Sequence, residues 1–514
     1  MSIQSCSADE KTDATSNHQQ INKESSLYDS SVTGTSVGQI STPKKPFTVW
    51  SALSLGFNIT NTGASMVLVV GNTSFGAGPL FFYSTILIAA VTFCVAVTLG
   101  ELVSAYPHAG GQYFWAAQLS PEKYRRFFSY LTAILSWASV ICVCASSAQA
   151  AGLVTFQIVS LARPDFVYQR WMGFLVMEGF NILAASLTIY EFLLPKISKG
   201  ALFYVVAVTT AIFVCLLAPS SPKQSAAVVF GASGKYFNLS GWPDGIAFLI
   251  GMNGVNWCFS CLDAATHLSE EIQHPRKDIP IALLSVAGMA LLIGVMMSLA
   301  IYFAAFDLEM TTSIISLLNN IYDNNPTCAY VFGGLLLLCL LNALASGHAW
   351  QARITWSLSR DKGTPFHSYM STLAPAPFYT PLWATLWGAC CVGLCGFLYL
   401  ASATAFSSFV SGGVILQYIT YATPTTLLLL HGRSNFNRGP FFWPKFGPVA
   451  NVVVIVWSIF TLVVYSLPYF LPVAADTFNY VSVMVVIVFL YATIFWIVYG
   501  RKHYTLADVN LASD

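Results

Sequence analysis

The sequence predicts an all-α integral membrane protein of twelve transmembrane helices, on three observations. Charged side chains make up 9% of the 514 residues, against roughly 25% in soluble domains. Hydrophobic residues make up 56%, with a mean hydropathy of +0.64. After residue 46 the apolar residues gather into twelve runs, each close to the ~20 residues needed to cross hydrocarbon. A soluble multidomain enzyme and an enzyme held by one anchor are both excluded. Runs this long and uniform fit helices rather than the alternating strands of an outer-membrane barrel.

Residues 1–46 are polar and contain 15 Ser or Thr. Without an apolar core this is no signal peptide, and it reads as a disordered cytoplasmic tail. The twelve-helix domain spans 47–500, with spans expected near 47–70, 79–103, 127–155, 171–191, 199–218, 243–264, 279–305, 328–350, 380–400, 403–430, 449–472 and 479–500. A short cytoplasmic tail, 501–514, follows. With the amino terminus inside, the inner connections hold seventeen Lys and Arg and the outer ones four. Positive residues stay on the cytoplasmic side, so both termini are expected there. The sequon at Asn238 then falls in an outer loop as a glycosylation candidate.

The formal charge of +1 offers no field for nucleic acid. The 12 cysteines show no repeated ligand spacing, so neither a metal site nor a cofactor is expected.

Transporters bind substrate where helices in matching positions of two repeats lose regularity. The first span contains Asn61, Thr62, Gly63, Ala64 and Ser65; the sixth contains Gly251, Asn253 and Gly254, then Trp257, Phe259, Ser260, Cys261 and Asp263. The pairing predicts two interrupted helices within five-helix halves, with two helices appended. N–H groups near Gly63, Ala64 and Ser65 would meet a substrate carboxylate. Trp257 and Phe259 would supply apolar or cation-π faces, and Asp263 a negative charge.

Ionisable residues at membrane depth need a reason. Asp263 is a gate, a coupling acid, a counter-ion or a structural acceptor; His267, with Glu270 or Glu271, extends a conceivable proton route. Glu178 reads as a neutral acid bonded to a neighbouring helix or as a coupling residue, and His348 as an exit-lining or a packed imidazole. Glu101 reads as a loop anchor.

Three stretches resemble a known family. Tyr106-Pro-His-Ala-Gly-Gly-Gln-Tyr-Phe-Trp115 resembles the segment after the second span of amino acid permeases. Asp263-Ala-Ala-Thr-His-Leu-Ser-Glu-Glu271 resembles their sixth-span exit, and Arg353 to Phe366, with Arg360-Asp361-Lys-Gly, the segment after their eighth. Across about 45–500 the chain is similar to the fungal amino acid/choline branch of the amino acid, polyamine and organocation superfamily. The resemblance implies a LeuT-like 5+5 inverted repeat and proton-driven alternating access. Tyr113, Phe114 and Trp115 would anchor their segment at the interface, and Arg360 and Asp361 would pair at the inner gate. Relatives usually carry Gly where this chain has Cys261, which predicts a less open backbone there.

The expected function is proton-coupled import across the plasma membrane of a small amino acid, 4-aminobutyrate, another amine or the quaternary ammonium choline. The alternative is export of a small nitrogenous, alkaloid-like secondary metabolite. A nutrient-sensing receptor and a membrane enzyme rank lower, because no signalling domain and no catalytic constellation is present.

Overall fold

In the computed structural model the described residues are 47–190, 192–219, 222–234, 236–309, 311–474 and 478–506. The expected tail 1–46 and residues 507–514 lie outside them. Apolar runs in hydrocarbon must satisfy their backbone internally, and each folds as helix. The chain runs α1 (Val49–Thr60), α2 (Thr62–Leu68), α3 (Ala77–Ala105), α4 (Gln112–Leu119), α5 (Arg125–Ala162) and α6 (Arg170–Leu187). It continues through α7 (Leu194–Leu217), α8 (Asp244–Trp257), α9 (Pro275–Ala304), α10 (Ile314–Ile321) and α11 (Thr327–Arg360). The last four are α12 (Leu382–Ala401), α13 (Ala403–His431), α14 (Gly447–Val464) and α15 (Val481–Phe495).

Among the described residues, eleven helices are long and apolar enough to cross a membrane. The expected fourth span, 171–191, is helical over Arg170–Leu187 but is not among them, because Arg170, Glu178 and Asn181 dilute its apolar run. The first span lies at the centre, with 89% of its most apolar stretch buried, and the last at the edge, with 17%. Exposed Phe203, Leu292, Ile459 and Ile497 form part of the apolar outer surface, as a lipid-facing belt requires. The most extensive packing joins α9 to α3, and α5 to α11 and α13.

Both expected interruptions are present. Asn61 takes a left-handed conformation (φ 42°) between α1 and α2, and a 3₁₀ stretch, Val69–Phe75, completes that span. α8 ends at Trp257, Cys261 is left-handed (φ 70°), and a 3₁₀ segment, Leu262–Leu268, follows. The backbone therefore opens at Cys261 although the residue is not Gly. Gly251 and Gly254 lie inside regular helix. They serve packing: a Cβ at Gly251 would meet Leu80 and Phe75 at 2.6–2.7 Å, and one at Gly254 would meet Asn72 at 2.0 Å.

Tyr113, Phe114 and Trp115 are at most 3% exposed, which corrects the expectation of an interfacial anchor. Their polar atoms find internal partners: Tyr113 Oη bonds Ser357 Oγ at 2.7 Å, and Trp115 Nε1 donates to the Tyr106 carbonyl at 2.8 Å. The turn ahead of them requires Gly111, whose φ is +52° and whose Cβ would lie 2.9 Å from His267.

A left-handed L-residue is strained by about 1–2 kcal/mol. Cys261→Gly should therefore leave the melting temperature of the purified protein unchanged or raised, and Cys261→Val, β-branched at the same φ, should lower it. Thermal unfolding in detergent measures both.

Candidate functional site

The two interruptions touch. Thr60 Oγ1, on the last residue of α1, shares its one hydrogen between the Gly56 carbonyl of its own helix at 3.0 Å and the Ser260 carbonyl at 3.1 Å. A contact between residues 200 apart in sequence thus joins the breaks. Ser65 Oγ donates back to the Thr60 carbonyl at 3.3 Å, satisfying part of the helix end exposed by the break. Thr62, Ala64 and Ser65 are buried on α2, and a Cβ at Gly63 would lie 2.3 Å from Thr209 of α7. Asn61 Oδ1, Thr62 Oγ1 and Thr209 Oγ1 have no hydrogen-bond partner among the described residues. Buried polar atoms left so typically cost about 1–3 kcal/mol each, so this turn has unused hydrogen-bonding capacity.

Trp257 is half-buried at the end of α8. Phe259 packs into the core, its ring tip 3.0 Å from where a Cβ on Gly294 of α9 would stand. Ser260 Oγ donates to the Trp257 carbonyl at 2.7 Å. Of the eight expected binding residues, the geometry gathers the first-span group and Ser260 closely around the contact.

Asp263 is 1% exposed and already holds three donors: Gln112 Nε2 (2.5 Å), Gln417 Nε2 (3.0 Å) and Tyr421 Oη (2.6 Å). Gln417 Oε1 also accepts from the Cys261 N–H at 3.0 Å. One amide of α13 thereby stitches the left-handed turn to the acid beyond it, the structural reading of Asp263. Gln112, Gln417 and Tyr421 escaped the sequence reading as site residues; the available signal was two amides and a phenol inside otherwise apolar or turn-forming stretches. His267 Nε2 lies 3.8 Å from Asp263, and its Nδ1 bonds the Ala109 carbonyl at 2.7 Å.

Beyond the 3₁₀ segment two ion pairs close one end of the bundle. Arg353 reaches Glu271 through Nε and Nη2 at 2.6 and 2.8 Å, with both side chains at most 10% exposed. Arg360 reaches Glu270 through two bonds of 2.7 and 2.6 Å and lies over the Trp356 ring. The cross-element partner of Arg360 is Glu270 rather than Asp361, which accepts from Tyr113 Oη at 3.0 Å. Bidentate pairing favours the acid that can approach from another element in the guanidinium plane. Glu101, fully buried, accepts two bonds from Arg433 at 2.8 Å and one from the Trp443 N–H at 2.8 Å, anchoring the loop before α14.

His108 stacks on Phe114 and stands 3.8 Å from Glu270. Burial lowers its pKa from 6.5 to about 4, against the opposing pull of Glu270. Burial pushes the Glu270 carboxyl up, but its hydrogen bonds and charge contact with Arg360 outweigh this and hold it below 4.5.

Asn238 Nδ2 donates to the Trp242 carbonyl at 2.7 Å and Asp244 Oδ1 at 3.0 Å, while Ser240 Oγ donates to Asn238 Oδ1 at 2.7 Å. The sequon amide is engaged within its own loop. Among the described residues, no cluster of three or more His, Cys, Asp or Glu is arranged to hold a metal ion.

Removing one partner of a buried pair costs about 3–5 kcal/mol; Glu271→Ala should lower the melting temperature strongly, and Glu270→Ala, at a partly exposed pair, less. A neutral buried His stabilises the fold above its unfolded pKa, and this is lost as protons bind the unfolded chain. The His108 contribution, on the order of 3 kcal/mol, should fall away between pH 6.5 and about 4, and that of Glu270 below pH 4.5. In a pH series of thermal unfolding, His108→Gln should flatten the first part.

The family model for amino acid permeases matches residues 47–490. The swainsonine transporter swnT of Arthroderma benhamiae is 41% identical over 468 residues, covering 91% of this chain and 93% of that protein. The transmembrane transporter swnT of Metarhizium robertsii is 40% identical with the same coverage. The choline transporter of Saccharomyces cerevisiae is 34% identical, covering 90% of this chain and 82% of its own length. Two broken helices meeting inside a helical membrane bundle agree with the LeuT-like fold that this family implies, and the chain belongs to the amino acid permease family of the amino acid, polyamine and organocation superfamily, as a transporter and not an enzyme.

Proposed function

We propose that this transporter carries a small nitrogenous secondary metabolite of the alkaloid class, outward and coupled to protons. The observation that carries this reading is the relative named as a swainsonine transporter, at 41% identity over nine-tenths of the chain, against 34% for the choline transporter. The paired breaks support it physically. Each presents the carbonyl end of one half-helix and the N–H end of the next, so an amine and a neutral or anionic polar group can both be met without a dedicated charged side chain. Thr62, Gly63, Ala64, Ser65, Ser260 and the half-buried Trp257 form the binding surface in this proposal. Asp263 holds the second break in shape, and the Arg360–Glu270 and Arg353–Glu271 pairs close the inner gate beside His267 and Asp361.

The second reading is uptake of choline or a related amine across the plasma membrane, favoured by the choline relative. Both readings place the termini in the cytosol, with α6 as a twelfth crossing that makes their number even. The excess of Lys and Arg on the inner connections supports that orientation, and Asn238 then faces outward as a glycosylation site.

Labelled swainsonine, choline and 4-aminobutyrate, followed into and out of transporter-deficient cells with and without a protonophore, test the proposal. Protonophore-sensitive flux of swainsonine is expected. Flux of choline alone selects the second reading, and flux of sugars or inorganic ions alone overturns both. Asp263→Asn keeps one acceptor oxygen where three donors converge, and should reduce flux more than tenfold with surface expression retained.

A further inference from the structure

Between α6, α11 and α12 lies a second polar cluster, which the paired breaks do not use. Glu178, half-buried at the middle of α6, projects against α12 at Gly393 and Gly396. A Cβ at Gly393 would lie 2.8 Å from Glu178 Oε2, and one at Gly396 2.6 Å from Oε1. Any larger residue at either position would displace the carboxyl group. One turn along α6, Asn181 Nδ2 donates to Glu178 Oε2 at 3.3 Å and to the Ala389 carbonyl of α12 at 3.0 Å. Since a carbonyl only accepts, the second bond fixes the orientation of the amide. Asn181 Oδ1 then faces His348 Nε2 of α11 at 3.0 Å. That oxygen also only accepts, so Nε2 bears the hydrogen and Nδ1 carries the lone pair. His348 is fully buried, and its Nδ1 has no hydrogen-bond partner among the described residues.

We propose that Glu178, Asn181 and His348 form a proton-binding site, with Glu178 as the group that gains and loses the proton and His348 sensing its charge through Asn181. The contrast with Asp263 carries the assignment. Asp263 holds three donors, the longest at 3.0 Å, so its oxygens are committed to holding the irregular backbone in place. Glu178 receives one long bond, too little to fasten an anion at membrane depth and enough to keep its geometry. The remaining titratable groups of the packed elements are weakly acidic or distant. α12 brings the thiols of Cys391 and Cys395, and α5 brings Cys144 beneath Gly347. Arg170, two turns back on α6, is bonded to the Ala401 carbonyl. Among the described residues no Lys, Arg or second carboxylate bonds to the three.

Loaded, the site is neutral; empty, it carries one negative charge, which Asn181 passes to the imidazole as a strengthened acceptor at Oδ1. The consequence reaches the gate along one helix, because α11 carries His348 and, five residues later, Arg353 bonded to Glu271. As a coupling site it rests on the proton-driven reading above, but proton binding itself is measurable without knowing the substrate.

The test is pH-difference infrared spectroscopy on the full-length protein in lipid bilayers. A carboxylic acid C=O band that titrates is expected in the wild type and in Asp263→Asn, and its loss is expected in Glu178→Gln. His348→Gln should shift the titration midpoint by about one pH unit, a tenfold change in proton affinity. Gly396→Ala, which displaces the carboxyl group, should move the same band and serves if Glu178→Gln does not fold. A band that survives Glu178→Gln, no titrating band in the wild type, or an unchanged midpoint in His348→Gln would overturn the proposal. A titrating band found without any proton-coupled flux would leave this site standing and remove the proton-driven reading.

Discussion

The contact of the Thr60 hydroxyl with the Ser260 carbonyl, its hydrogen shared with the Gly56 carbonyl one turn back, is the point on which the rest of this architecture turns. A helix that breaks inside a membrane exposes backbone groups that hydrocarbon cannot satisfy, so breaks survive only where they face protein or a polar site. Here each break helps to satisfy the other. The Thr60 side chain occupies one carbonyl at the far break, Ser65 returns to the Thr60 carbonyl, and Gln417 takes up the N–H of the left-handed Cys261. What remains without a partner among the described residues, at Asn61, Thr62 and Thr209, is the polar capacity from which a binding site can be made.

The acids held inside the bundle divide by the number of donors they hold. Asp263 is tied by two amides and a phenol and fastens the irregular backbone beside it. Glu271 is neutralised by the paired bonds of Arg353, and Glu101 by Arg433. Glu178 has one weak amide bond and two glycines in front of it. Donor count separates firmly held acids from a loosely held one where residue type does not. The Arg353–Glu271 and Arg360–Glu270 pairs share α11 with His348, so one helix carries both guanidinium groups and borders the loosely held acid.

Much of this was legible in order along the chain. Two polar interruptions in matching spans located the breaks to within a few residues, since small and hydroxylated residues in an apolar run are where helix continuity is weakest. Attribution to particular residues was less accurate. Gly251 and Gly254 looked like part of the break but let Leu80, Phe75 and Asn72 approach a regular helix. Cys261 looked too bulky for an open backbone and adopts the left-handed conformation anyway, because Gln417 of a distant helix receives its N–H. Tyr113, Phe114 and Trp115 carry the composition of an interfacial belt and are core residues. Neighbouring Arg360 and Asp361 invited pairing, yet the guanidinium is aimed at Glu270.

By itself the sequence determined the class of the molecule: hydropathy, length and scarcity of charge require a bundle of membrane helices, and these are properties of each segment alone. It determined where helices lose regularity, because local composition controls that as well. Only the tertiary structure decided which polar groups answer each other. Thr60 and Ser260 are 200 residues apart, and Asp263 is 154 residues from Gln417 and 158 from Tyr421. A lone acid in an apolar run reads the same whether three donors or one await it, since its partners are brought by helix packing and not by its neighbours in the chain.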